Sequence, residues 1–176
     1  NNDSFIFLKI ATGVGAGIIN HGRLVKGSNS FAGEIGHIPI SDSYQCRCGM
    51  TGCLEAHIGS ATLAAIREGK LPSSISVEDH FAQYLSQSLA IVINLLNPEK
   101  IILFLSHVDD PDRYFTALEE AMKGKKLWNP FALENIILSS LGERTIAIGG
   151  ATLILEELFH NPSFIQQSKK TIQEAL

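Results

Sequence analysis

Phe5-Ile6-Phe7-Leu8-Lys9-Ile10-Ala11-Thr12-Gly13-Val14-Gly15-Ala16-Gly17-Ile18-Ile19 is a pair of short apolar runs broken at Thr12-Gly13. Each run has the length and content of a buried strand, and a Thr-Gly step between them is turn chemistry, so a hairpin is expected over 5–10 and 14–19. Working outward, His21-Gly22 turns the chain into a third short strand, Arg23 to Lys26. A stretch rich in Gly, Ser and Asn then leads to Gly33-Glu34-Ile35-Gly36-His37 and the alternating Ile38 and Ile40, which predict a strand ending at His37. The segment from Ser41 to Cys53 has no period at all, so something other than an apolar core must hold it.

The rest of the chain punctuates itself. Ser60 is placed to cap a short helix that Gly69 ends. Ser76, with Asp79 three residues on, starts the longest helix, whose Phe81, Leu85, Leu89, Val92 and Leu96 share a face. Asn97-Pro98 stops it. Lys100 to Leu105 is a buried strand by its Ile-Ile-Leu-Phe-Leu run, and Asp110-Pro111 pairs an N-cap with proline at the first helical position. A strand at Ile136 to Leu138 and a helix from about Thr145 to Phe159 follow, and the tail beyond Asn161-Pro162 is read as a short surface helix or as unstructured. Strands alternate with helices in this half, which predicts an α/β fold with parallel neighbours.

Composition narrows the function classes. A chain of 176 residues that is 45% hydrophobic and 18% charged suits a single lobe with one sizeable core. A formal net charge of −4 offers no basic face to neutralise phosphates, so contact with DNA is expected only through a domain outside this chain. No run approaches the ~18 apolar residues of a membrane span, and Asn1-Asn2-Asp3-Ser4 lacks the pattern of a signal peptide, so a cytoplasmic location with no membrane contact is expected.

All three cysteines lie in Cys46-Arg47-Cys48-Gly49-Met50-Thr51-Gly52-Cys53. An odd number so closely spaced makes no satisfying disulfide framework, whereas a glycine-bent loop brings three thiolates within the ~4 Å separation that zinc requires. A closed structural site needs a fourth ligand. His37 is the nearest upstream imidazole; His57 competes for the place, but it follows Cys53 on what should be a helical turn leading away. The expected ligands are therefore His37, Cys46, Cys48 and Cys53. Glu34, His37 and Glu55 lie near this loop and suit a polyol, because a carboxylate accepts two hydroxyls in a planar fork and a metal-bound imidazole keeps its second nitrogen available. On residue type alone, Glu34 and Glu55 read better as solvated loop acids.

The order Thr12-Gly13-Val14-Gly15-Ala16-Gly17, Gly22-Arg23-Leu24, Ala32-Gly33-Glu34-Ile35-Gly36-His37 and Cys46-x-Cys48-Gly49-x-x-Gly52-Cys53-Leu54-Glu55 resembles the signature of the ROK family (repressor, open reading frame, kinase). The resemblance continues through Asn97-Pro98-Glu99-Lys100-Ile101, Leu141-Gly142 and Gly149-Gly150-Ala151, to about residue 160. It implies the C-terminal lobe of an actin-like, ribonuclease-H-like ATPase fold with an inserted zinc loop, in a protein that is either a sugar kinase or a sugar-responsive repressor. By position it implies structural zinc at His37, Cys46, Cys48 and Cys53, sugar hydroxyls at Glu34, His37 and Glu55, and a phosphate-facing turn at Thr12 and Gly13. The turn reads equally well as an ordinary hairpin.

Departures from the family's kinases point toward the repressors of glucose or N-acetylglucosamine type. The kinases' phosphate loop and catalytic Asp, which follows an Asn, match positions ahead of this sequence; Asn2-Asp3 stands directly before a strand and is read as its entry turn, so no catalytic residue is assigned. The glycine cluster that accommodates nucleotide after the Ile-Ile-Leu strand is replaced by Phe104-Leu105-Ser106-His107, and Ala11 and Ser30 replace two further glycines. The expectation is the effector-sensing and oligomerising lobe of a larger two-lobe repressor of carbohydrate genes. It would bind a sugar or sugar phosphate, use no ATP, and assemble as a dimer or tetramer. The alternative is the C-terminal half of an ATP-dependent sugar kinase.

Overall fold

Ile6, Leu8 and Ile10 are buried while the residues between them are only partly covered, the period of a strand with one face on a core. The computed structural model describes residues 4–106, 108–142, 144 and 147–152. In it β1 (Phe5–Ile10) runs antiparallel to β2 (Val14–Asn20), in the register Ile10 opposite Val14. The third strand, β3 (Arg23–Leu24), is two residues shorter than Arg23 to Lys26 because Lys26 leaves the ladder to pair with Ala32. On its other side β1 pairs in parallel with β4 (Lys100–Leu105), which pairs in parallel with β5 (Ile136–Leu138). The sheet order is β3-β2-β1-β4-β5, antiparallel at one edge and parallel at the other, as the alternating second half predicts.

Among the described residues, four α-helices complete this unit, which spans residues 1–139. Two short ones, α1 (Leu54–Ile58) and α2 (Ser60–Arg67), follow the cysteine loop. The long α3 (Val77–Leu96) starts where expected: Ser76 Oγ accepts the Asp79 amide at 3.0 Å and donates to its carboxylate at 2.7 Å. It stops at Asn97, which takes a left-handed φ of 44° before Pro98. Asp110 caps α4 (Pro111–Lys123) with proline at its first turn. Phe81 of α3 and Tyr114 of α4 meet edge to face at 5.2 Å, and the Tyr114 hydroxyl accepts from Arg67 at 2.7 Å, tying α2 to α4. Each fully buried Leu or Ile of this core stabilises by ~1.5–3 kcal/mol before ordering entropy is deducted.

Two local expectations give way. Ser60 is the first residue of α2 and not its cap; Gly59 is the cap, and the Ser60 amide donates to Ala11 O at 2.9 Å, which fastens α2 under the β1–β2 turn. Ile35–His37 is a turn of 3-10 helix and not a strand. Gly36 packs against the Val14 carbonyl there, and the alternation beyond it reflects one isolated bridge, Pro39 to Cys53. In the second unit, 140–176, residues 147–152 are helical, inside the expected Thr145 to Phe159 helix, and residue 144, just ahead of its expected start, is helical as well. The rest of that helix and the tail beyond Asn161-Pro162 lie outside the described residues.

Candidate metal centre

The cysteine loop is held by its own backbone. The Cys46 amide donates to Met50 O at 2.8 Å, Gly49 to Cys46 O at 3.0 Å, and Gly52 to Tyr44 O at 2.9 Å. Gly52 has φ of 80°, and a Cβ there would overlap the Ser41 carbonyl oxygen, so the tight return to Cys53 requires glycine. Ile40 then bonds to Gly52 O and Leu54 to Ile38 O, which lays the loop beside the Ile35–His37 turn. That turn is fixed in its own right, since Ala16 of β2 donates to Gly33 O at 2.8 Å.

This backbone brings the four expected ligands together. One donor atom each from His37, Cys46, Cys48 and Cys53 lies within 4.8 Å of all the others. Cys46 Sγ is 3.7 Å from His37 Nδ1 and Cys48 Sγ is 3.7 Å from Cys53 Sγ, close to the ~3.8 Å edge of a tetrahedron of ~2.3 Å metal–sulfur bonds. Burial and the neighbouring thiols push the Cys53 thiol up to about 12, while the Met50 backbone amide holds exposed Cys48 below its ordinary value. Three convergent thiols, one of them buried where its thiolate is disfavoured, are a donor set that a bound cation stabilises. The cluster could therefore hold a metal ion, and its sulfur-rich donors fit a soft or borderline one.

His57 is in a different place. It is fully buried on α1, its Nε2 lies 2.6 Å from Ser41 Oγ, and its ring stacks on Tyr84 at 3.8 Å with Tyr44 at 4.6 Å. Burial, reinforced by His80, lowers its pKa to about 4. It is a neutral strut between the loop and α3, and the helical turn predicted to lead it away from the thiols does so.

The three polyol candidates divide. Glu34 is exposed, with Oε2 3.8 Å from His37 Nε2, the ring nitrogen that faces away from Cys46. Glu55 is buried and turned elsewhere: Oε2 accepts the Val14 amide at 2.9 Å, and Arg47 donates from Nε to Oε1 at 2.7 Å and from Nη2 to Oε2 at 3.3 Å. The carboxylate lies under the Thr12-Gly13 turn, where a Cβ on Gly13 would come within 2.9 Å of Glu55 Oε2 and 2.8 Å of Arg47 Nη2. The structure thus joins Glu34 to His37, and Glu55 to Thr12-Gly13. Arg47 is the residue that sequence reasoning missed; its placement between Cys46 and Cys48 was the available signal.

A family model described as the ROK family matches residues 1–157. The chain is 26% identical over 176 residues to the xylose repressor of Bacillus subtilis strain 168, covering 89% of this chain and 45% of that protein. It is 27% identical over 187 residues to a glucokinase of Halalkalibacterium halodurans, covering 88% and 57%. It thus spans about half the length of the curated relatives it matches. Among solved structures, a ROK family glucokinase from Streptomyces griseus in complex with glucose and AMPPNP superposes with a TM-score of 0.68 at 23% identity, covering 87% of this chain and 61% of that one. The mixed α/β sheet is that of the actin-like ATPase fold, with the cysteine loop as an insertion.

Proposed function

This chain belongs to the ROK family, and on that premise we propose that it is the sugar-sensing part of a longer ROK-type transcriptional repressor of carbohydrate genes, with zinc in a structural role. The observation that carries the choice of sensor over kinase is the end of β4. Phe104, Leu105 and Ser106 are buried there, Phe104 stacked on Phe7 at 6.4 Å, in the stretch where the family's kinases keep glycines for nucleotide. Glu34 beside His37, and Glu55 under the Thr12-Gly13 turn, are the acids of this proposal for a polyol. Zinc would be held by His37, Cys46, Cys48 and Cys53; when bound it neutralises the thiolates and fixes the loop.

In this reading the chain's own residues do the recognition. Glu34 and Glu55 accept sugar hydroxyls, His37 presents Nε2, and Thr12-Gly13 closes the site from the hairpin side. An effector can shift a repressor only if it binds its two states unequally, and the loop is the element whose contacts the effector changes. DNA binding belongs to a part of the protein outside this chain. A homo-oligomer, dimer or tetramer, would draw on the exposed Ile91, Leu95 and Leu96 at the end of α3.

A second reading, half of an ATP-dependent sugar kinase, is favoured by the glucokinase relative, which is as similar as the repressor, and by the Thr12-Gly13 turn, whose Thr12 is exposed. A phosphoryl-transfer assay separates the two. The full-length, zinc-replete protein, incubated with ATP and a panel of hexoses and amino sugars, should form no sugar phosphate; sustained turnover would establish the kinase.

A further inference from the structure

Arg47 sits on Glu55 in a way that bears on how the site opens. The guanidinium spans both carboxylate oxygens, and the Val14 amide takes a further position on Oε2. A carboxylate so occupied has no open fork for two sugar hydroxyls. The two partners differ in accessibility: the Arg47 side chain is 70% exposed and the Glu55 side chain 8%. The pair is also anchored at both ends, since Arg47 lies between Cys46 and Cys48 and Glu55 lies two residues after Cys53, all three within the metal cluster. With both backbones held by the loop, Arg47 leaves Glu55 by turning its side chain outward, which returns its rotamer entropy.

We propose, resting on the sugar-sensing reading above, that Arg47 is a displaceable plug: a specificity-setting residue that occupies Glu55 in the free protein and is exchanged for a neutral polyol with adjacent hydroxyls. The exchange replaces an ion pair by hydrogen bonds from uncharged donors to the same carboxylate, so it selects ligands that engage Glu55 through two hydroxyls at once. A single hydroxyl does not compensate the lost ion pair. Release of the guanidinium from the carboxylate is also the change at the cysteine loop that distinguishes the liganded from the free state.

The experiment is calorimetric titration of the full-length, zinc-replete protein with a panel of unphosphorylated hexoses and amino sugars, at low and high sodium chloride, for wild type, Arg47→Ala, Arg47→Lys and Glu55→Gln. Zinc content of each variant controls for folding. Arg47→Ala should bind the best sugar roughly three- to tenfold more tightly than wild type. Salt should tighten wild-type binding by screening the exposed side of the ion pair and leave Arg47→Ala unchanged, a response that a merely structural arginine would not give. Arg47→Lys, which keeps the charge but not the fork, should fall between them. Equal or weaker binding by Arg47→Ala, with no salt response in wild type, overturns the plug; loss of binding in Glu55→Gln alongside that result leaves the sugar-sensing reading standing. Absence of sugar binding in both wild type and Arg47→Ala, with zinc in place, overturns both.

Discussion

Glu55 Oε1 lies 2.7 Å from Arg47 Nε, so a buried carboxylate at the start of α1 is paired with a guanidinium carried between two cysteines of the metal cluster. The pairing couples two features that sequence alone presents separately, a cysteine loop that could hold a metal and an acid expected to meet a polyol. Whatever loosens the loop frees or misplaces Arg47, and whatever engages Glu55 is felt at Cys46 and Cys48. The consequences can be measured separately.

Glu55→Gln keeps an acceptor for the Val14 amide but removes the charge that makes the carboxylate a strong acceptor for hydroxyls. Sugar affinity should fall about 10- to 100-fold with zinc content unchanged, as read by calorimetry and metal analysis. Unchanged affinity would remove Glu55 from the site.

Cys48→Ser takes away the one exposed sulfur of the cluster, so little packing is lost and the effect isolates the metal. Metal stoichiometry after dialysis should drop well below one per chain, and the thermal midpoint should fall toward that of chelator-treated wild type. Retained stoichiometry would refute the coordination by His37, Cys46, Cys48 and Cys53.

Acid should weaken the fold through His57 as well as through the thiols. Its folded-state pKa of about 4 lies below the ordinary 6.5, so above pH 6.5 both folded and unfolded forms are neutral and nothing is lost. As pH falls from 6.5 to 4 the unfolded chain binds a proton that the folded chain refuses, and stability declines by on the order of 3 kcal/mol before levelling off. His80, lowered by the same burial, adds to the slope in the same direction. Denaturant titrations across this window should show a shallower decline for His57→Gln than for wild type, with zinc content followed in parallel. Parallel slopes would mean that His57 does not titrate as a buried neutral ring.

Much of the fold is legible because its signals are local. The apolar runs at 5–10 and 14–19, the Ser76 and Asp110 caps and the Asn97-Pro98 stop each act within four residues, and each element forms where its signal stands. The four clustered ligands are legible because thiol spacing and an upstream imidazole are chemistry readable without coordinates. What escapes is non-local. The alternation of Ile38 and Ile40 suggests that His37 ends a strand, but Ile35–His37 is a 3-10 turn with Gly36 against the Val14 carbonyl. Ser60 looks like a cap, yet its amide is taken by Ala11, far away in sequence. Glu55 reads as a companion of Glu34 and His37, and its partnership with Arg47 exists only once the loop has closed on itself.

Sugar sensing without nucleotide is the proposal on which the Arg47 and Glu55 predictions rest. Calorimetric titration of the zinc-replete full-length protein, first with hexoses, amino sugars and their 6-phosphates and then with ATP, tests it most directly. Saturable binding of at least one sugar is expected, with no heat of binding for ATP in the presence or absence of that sugar. ATP binding that strengthens when the sugar is present would contradict it, because Phe104 and Leu105 would then have made room for a nucleotide.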